Sequence, residues 1–167
     1  MLHAEGRAEF AMRQFGFLRP TVFGFRTGSP FVCVRSRLPE EAKEGFSAMV
    51  RLNCMACAAT TTVLAIEGWA RAPQPGETFD PGERISEAFD RREVVLLSGE
   101  AKDRRMDKIL PIIRTDAGGF FGFGETNPPS TETASGCFTN LLPPKTPTNR
   151  EQHRAMARLK ALGAVIE

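Results

Sequence analysis

Hydrophobic residues recur along this chain in several distinct rhythms, and each rhythm predicts an element. Ala4, Ala8, Ala11, Met12 and Phe15 recur at the spacing of one helix face, and Gly16 stands where a left-handed residue would end that helix. Residues 21–26 and 31–37 are dense in Phe and Val, and Thr27-Gly28-Ser29-Pro30 between them is a hairpin signal. Pro39 opens a second helix running to about Cys57, with Glu40, Glu41 and Glu44 near its positive end. One face of it collects Ala42, Phe46, Met49, Val50, Asn53 and Cys57, while Leu52 and Met55 point roughly the other way. The second half of this helix is therefore apolar nearly all round and needs cover on both sides. The N-terminal helix or a second copy of the protein would supply it.

Farther on, Thr60, Thr61, Thr62, Val63, Leu64 and Ile66 give residues 60–70 the β-branched and apolar content of a strand. Residues 71–89 hold Pro73, Pro75, Gly76, Pro81 and Gly82 and read as a long loop. Residues 93–100 and 106–114 form a second hairpin across Lys102-Asp103-Arg104-Arg105, and Asp116-Ala117-Gly118-Gly119 turns into a strand over 120–125. Five of the twelve prolines fall within 126–147, which argues against regular structure there, apart from an apolar island at 138–142. Thr148-x-x-Glu151 is a capping box for a last helix over 148–163. Its inner face is Gln152, Ala155, Met156, Leu159 and Leu162, and Gly163 is its C-cap.

The order is α-β-β-α-β-β-β-β-α, which predicts an α+β fold: a mostly antiparallel sheet with helices on one or both faces. The topology is like the roadblock/longin or profilin-like arrangement, an analogy of fold that carries no function.

Composition narrows the class further. At 167 residues the chain reads as one domain spanning 1–167, and 41% hydrophobic with 25% charged residues is ordinary globular content. A net charge of +2 does not by itself imply a polyanionic partner. Arg outnumbers Lys 17 to 5, the skew of a GC-rich bacterial genome. The first residues lack the apolar run of a signal peptide, and no stretch has the length of a membrane span. The expectation is a cytoplasmic protein with reduced cysteines and no membrane partner.

Several patterns invite chemistry and fail a physical test. Cys54-Met55-Ala56-Cys57 has redox spacing, but it falls near the C-terminal end of its helix, where the dipole disfavours a thiolate. Cys33, Cys137, His3 and His153 stand singly and supply no second pair for zinc, so the thiols read as core and no metal or cofactor is expected. Gly118-Gly119-Phe120-Phe121-Gly122-Phe123-Gly124 is followed by neither a lysine nor a helix, so it is no phosphate cradle. Arg150, Arg154 and Arg158 share one face of the last helix and suit either phosphates or plain solvent.

The strongest cluster joins acids, bases and the single tryptophan. Alternation along 60–70 puts Val63, Ala65, Glu67 and Trp69 on one face, with Glu67 and Trp69 where the strand leaves the sheet. Ser86-Glu87-Ala88-Phe89-Asp90-Arg91-Arg92-Glu93 leads into the next strand. If the two strands are neighbours, Glu67, Trp69, Glu87, Asp90, Arg91 and Arg92 meet at one end of the sheet as a polar recognition patch with an aromatic floor. The plain alternative is a salt-bridge network closing a long loop, with Trp69 as core.

Glu67-Gly68-Trp69, then Ser86-Glu87-x-x-Asp90-Arg91-x-Glu93, then Phe138-Thr139-Asn140-Leu141-Leu142-Pro143-Pro144 resemble small bacterial and phage or prophage proteins across residues 20–144. That resemblance implies a mobile-element accessory protein and assigns no catalytic residue. The function expected is a binding or interaction module, with a protein partner or a homodimer. Two alternatives stand beside it: an enzyme on a carboxylate/arginine site at Glu67, Asp90 and Arg91, and a nucleic-acid-associated protein using the C-terminal arginines.

Overall fold

The computed structural model describes residues 1–26, 32–35, 43–71, 84–126 and 140–162. Six strands form one antiparallel sheet in the order β2-β1-β3-β4-β5-β6. They are β1 (Thr21–Phe25), β2 (Val32–Arg35), β3 (Thr61–Ala70), β4 (Arg92–Ala101), β5 (Arg104–Arg114) and β6 (Phe120–Phe123). Helices α1 (Leu2–Phe15), α2 (Lys43–Ala56) and α3 (Asn149–Ala161) complete the α-β-β-α-β-β-β-β-α order, an α+β fold. The turn between β1 and β2, most of the long loop after β3 and the segment 127–139 lie outside the described residues.

Strand alternation sorts the core into two faces. Phe23, Val63, Ala65, Val95, Leu97 and Leu110 turn one way and are covered by Ala4, Ala8 and Met12 of α1. Those three helix positions lie on one stripe and are at most 1% exposed. Phe15, at the same spacing, comes out 59% exposed in the last turn, just before the chain breaks at Gly16 (φ 76°). The start of α1 can lie close to the sheet because position 99 is glycine: a Cβ there would stand 3.3 Å from Met1 Sδ and 3.4 Å from the Met106 carbonyl oxygen. A Lys108–Glu5 ion pair at 2.7 Å ties β5 to the same helix.

The other face turns Val22 and Leu64 toward α2, which answers with Phe46, Val50 and Cys54. Leu141 joins this cluster, and the Leu141 and Leu142 amides both donate to the Glu100 carboxylate at 3.1 Å. The C-terminal part of the apolar island thus docks on the sheet through one acid. Residues 138 and 139 fall outside the description.

Neither the N-terminal helix nor a second copy covers the far side of α2. Leu52 and Met55 pack instead with Ala155, Met156 and Leu159 of α3, so the last helix of the same chain closes that face. The reason is geometric: α1 is held on the opposite face of the sheet, whereas α3 follows directly on the Leu141 anchor. The Thr148–Glu151 capping box forms in both directions, fixing where α3 begins. Leu162, expected on the inner face, lies past the last turn as the C-cap residue and is 63% exposed.

Candidate functional site

The pairing of β3 with β4 decides where the singled-out residues go. Register runs Glu67↔Val95, Gly68↔Val94, Trp69↔Glu93 and Ala70↔Arg92, so the end of β3 and the start of β4 meet at one end of the sheet. Residues opposite one another in an antiparallel pair share a face, so Glu67, Trp69 and Glu93 lie together on the α1 side, beyond the end of that helix.

Two layers of interaction are built there. The inner one is an ion network that sequence reading did not find. Arg114, the last residue of β5, hydrogen-bonds the Glu93 carboxylate through Nε and reaches Glu67 Oε1 at 3.5 Å through Nη2. Its Nη1 meets the carbonyl oxygens of Gly16 and Gly118 at 3.4 and 3.3 Å. Glu67 Oε2 accepts the Leu18 amide at 2.8 Å. The hydrogen bond to Glu93, against a smaller opposing effect of burial, raises the Arg114 guanidinium above its ordinary range, so it stays charged. Both oxygens of Glu67 are thereby held by partners that knit the α1–β1 link, β3 and β5 together, which favours a structural role for this carboxylate.

The outer layer is the turn between the 3-10 segment Ile85–Glu87 and β4. The Arg91 amide and Nη1 both donate to the Ala88 carbonyl, at 3.4 and 3.1 Å, and Ala88 is buried. The same guanidinium lies 4.8 Å over the centre of the Trp69 ring. Asp90 faces Arg71, 3.7 Å away, and the Arg71 side chain is only 8% exposed, so this pair is more enclosed than a surface-loop pair. Among the described residues Glu87 pairs with Arg84, both side chains largely in solvent, and Arg92 is exposed at the start of β4.

Structure therefore gathers Trp69, Asp90, Arg91 and Arg92 around one turn, sets Glu67 in the network beneath, and leaves Glu87 to the side. Besides Arg114, it adds a residue that the sequence did not single out as part of the patch: Phe89, 96% exposed, at the tip of the turn. The available signal was an aromatic between Ala88 and Asp90 in an otherwise polar run. Trp69 beside it is 42% exposed. Arg114 had no such signal, because its role depends on three segments remote in sequence.

The cysteine pair sits where the helix ends. Cys54 is buried, and burial above all pushes its thiol up to about 12; burial raises the half-buried Cys57 as well. Among the described residues, no group of three or more His, Cys, Asp or Glu is placed to hold a metal ion. No helix of the described chain is long and apolar enough to cross a membrane. Comparison with family models, curated proteins and solved structures finds no match.

Proposed function

We propose that this chain is a binding module that docks a protein partner on the turn at the β3–β4 end of the sheet. The setting implied by the sequence resemblance is a bacterial or phage-derived accessory protein of the cytoplasm. The observation that carries the reading is Phe89. A phenylalanine at 96% exposure gains nothing from the fold, yet it stands on a turn fixed by hydrogen bonds on either side. An aromatic held out this way has the form of an interface anchor, needing only a pocket in a partner. Trp69 and the Arg91 guanidinium above it supply a flat, amphipathic floor next to that anchor, from the residue types enriched at interface centres. Asp90, Arg71 and the Arg114 network hold the floor in place, which lowers the entropy lost on association.

The test begins with quantitative affinity capture using the wild-type chain and Phe89→Ala as baits. The protein lost from the variant is then purified and titrated against both. Wild type is expected to bind at least about 30-fold more tightly than Phe89→Ala, the size of an interface hot spot. Sedimentation of the purified chain covers the case in which the partner is a second copy. Equal recovery of every captured protein by both baits, with equal self-association, would refute the reading.

A further inference from the structure

The outer face of α3 presents three arginines on one helical row. Its inner residues, Ala155 and Leu159, are buried against α2, which leaves Arg150, Arg154 and Arg158 in one exposed row. At about 100° per residue, Ala157 and Ala161 share this face with the arginines, and Glu151 stands at its edge. Among the described residues, Arg13, Arg71, Arg84, Arg105 and Arg114 each sit within 4 Å of an acid, whereas the exposed Arg7, Arg92 and Arg104 do not but stand on three separate elements. None of the three on α3 has an acid within 4 Å among the described residues; Glu151 of the first turn shares an electrostatic attraction with Arg154 but is hydrogen-bonded by the cap at Thr148. The row extends roughly 12 Å along the helix, a length that matches three or four successive phosphates of one duplex strand measured along its axis.

We propose that this face binds the phosphate backbone of double-stranded DNA. Three exposed guanidiniums with no acid within 4 Å among the described residues suit diester oxygens, and the alanines beside them let the helix approach a groove wide enough to take it. A single strand is the poorer fit, because α3 offers no Phe, Tyr or Trp for bases to stack on, only the imidazole of His153 to one side of the row. An anionic membrane is poorer too, since an interfacial helix needs large apolar side chains beside its cations, and here those positions are alanine. Because α3 lies behind α2, on the side of the sheet away from Trp69, this surface is separate from the one proposed for a protein partner.

The experiment is fluorescence anisotropy of a labelled mixed-sequence duplex of roughly two helical turns, titrated with the whole chain at several salt concentrations. Three phosphate contacts give a slope of log K against log salt near −2.7, which is about a 40-fold loss of affinity between about 50 and 200 mM salt. Replacing all three arginines (Arg150→Gln, Arg154→Gln, Arg158→Gln) should abolish saturable binding. Arg154→Gln alone should make the slope shallower by about one, so the proposal stays testable if the triple variant folds poorly. Arg7→Gln, Lys102→Gln and Arg104→Gln together remove the same charge from exposed sites elsewhere and should leave slope and affinity nearly as they were. The proposal is overturned by no saturable binding at the lowest salt, by equal loss in the control variant, by tighter binding to a single strand, or by retention on phosphatidylserine vesicles without duplex binding.

Discussion

A guanidinium carries five N–H donors in a rigid fork, and Arg114 directs its fork at two carboxylates and two backbone carbonyls drawn from four separate parts of the chain. Removing it leaves Glu67 and Glu93 partly enclosed with no cation, and breaking such a pair costs more than breaking an exposed one. Arg114→Met, which keeps the length, is expected to cost about 2 kcal/mol, read as a lower urea midpoint with an unchanged slope. Cys54 is the second residue with a measurable signature. Its folded thiol lies near 12 against an ordinary value of 9.0, so the stability it contributes is complete below about pH 9 and is lost as pH rises toward 12. Cys54→Ala should flatten that alkaline loss while costing about 1–2 kcal/mol at neutral pH through the cavity it leaves. Site-resolved alkylation near neutral pH should label Cys57 well before Cys54. That the thiols belong to the core was legible from their place at a helix end among apolar neighbours. Arg114 was not legible, because a residue at the end of a strand shows nothing in sequence of the three segments the fold brings to it.

At the scale of elements, the rhythms that survived were those enforced by burial on one side. Alternation along β3 and β4 placed Glu67 and Trp69 on one face, and the stripe of α1 placed Ala4, Ala8 and Met12 in the core. Phe15 and Leu162 continue the inner stripes of α1 and α3 in sequence but stand at the helix ends and are largely exposed. The all-round apolarity of α2 was equally legible; the identity of its cover was not, because nothing local distinguishes a helix of the same chain from a second copy. The α2–α3 contact makes its own prediction. Leu159→Ala removes a fully buried side chain and should cost about 2–4 kcal/mol, with the loss shared by both helices. The capping box adds a pH dependence. Hydrogen bonds from the Thr148 amide and hydroxyl hold the Glu151 carboxyl below its ordinary value, so its support for α3 is present above the usual carboxylate range and is lost as pH falls through the lowered value. Amide exchange in the first turn of α3 should therefore rise on acidification in the wild type. Glu151→Gln can still accept the bond from the Thr148 amide and should show little of that change.

For the whole molecule, the division of labour follows from which groups the fold already uses. Glu67, Glu93, Arg114, Asp90 and Arg71 are tied to one another or to backbone, whereas Phe89 is left outside and Trp69 is left half outside under Arg91. Phe89→Ala should accordingly change stability by less than about 0.5 kcal/mol, and Asp90→Asn by more, about 1–2 kcal/mol, because the Arg71 charge it faces is nearly enclosed. That contrast is read by parallel urea unfolding of the two variants. The same turn can be watched directly, since Trp69 is the only tryptophan in the chain. With fluorotryptophan incorporated, the protein gives one fluorine resonance from the floor of the proposed surface, whatever the partner contains. Titration with the protein captured by wild type but not by Phe89→Ala should shift or broaden that resonance to saturation and protect it from a soluble paramagnetic quencher. An unmoved, equally quenched resonance at full occupancy would place the partner elsewhere on the molecule and contradict the account.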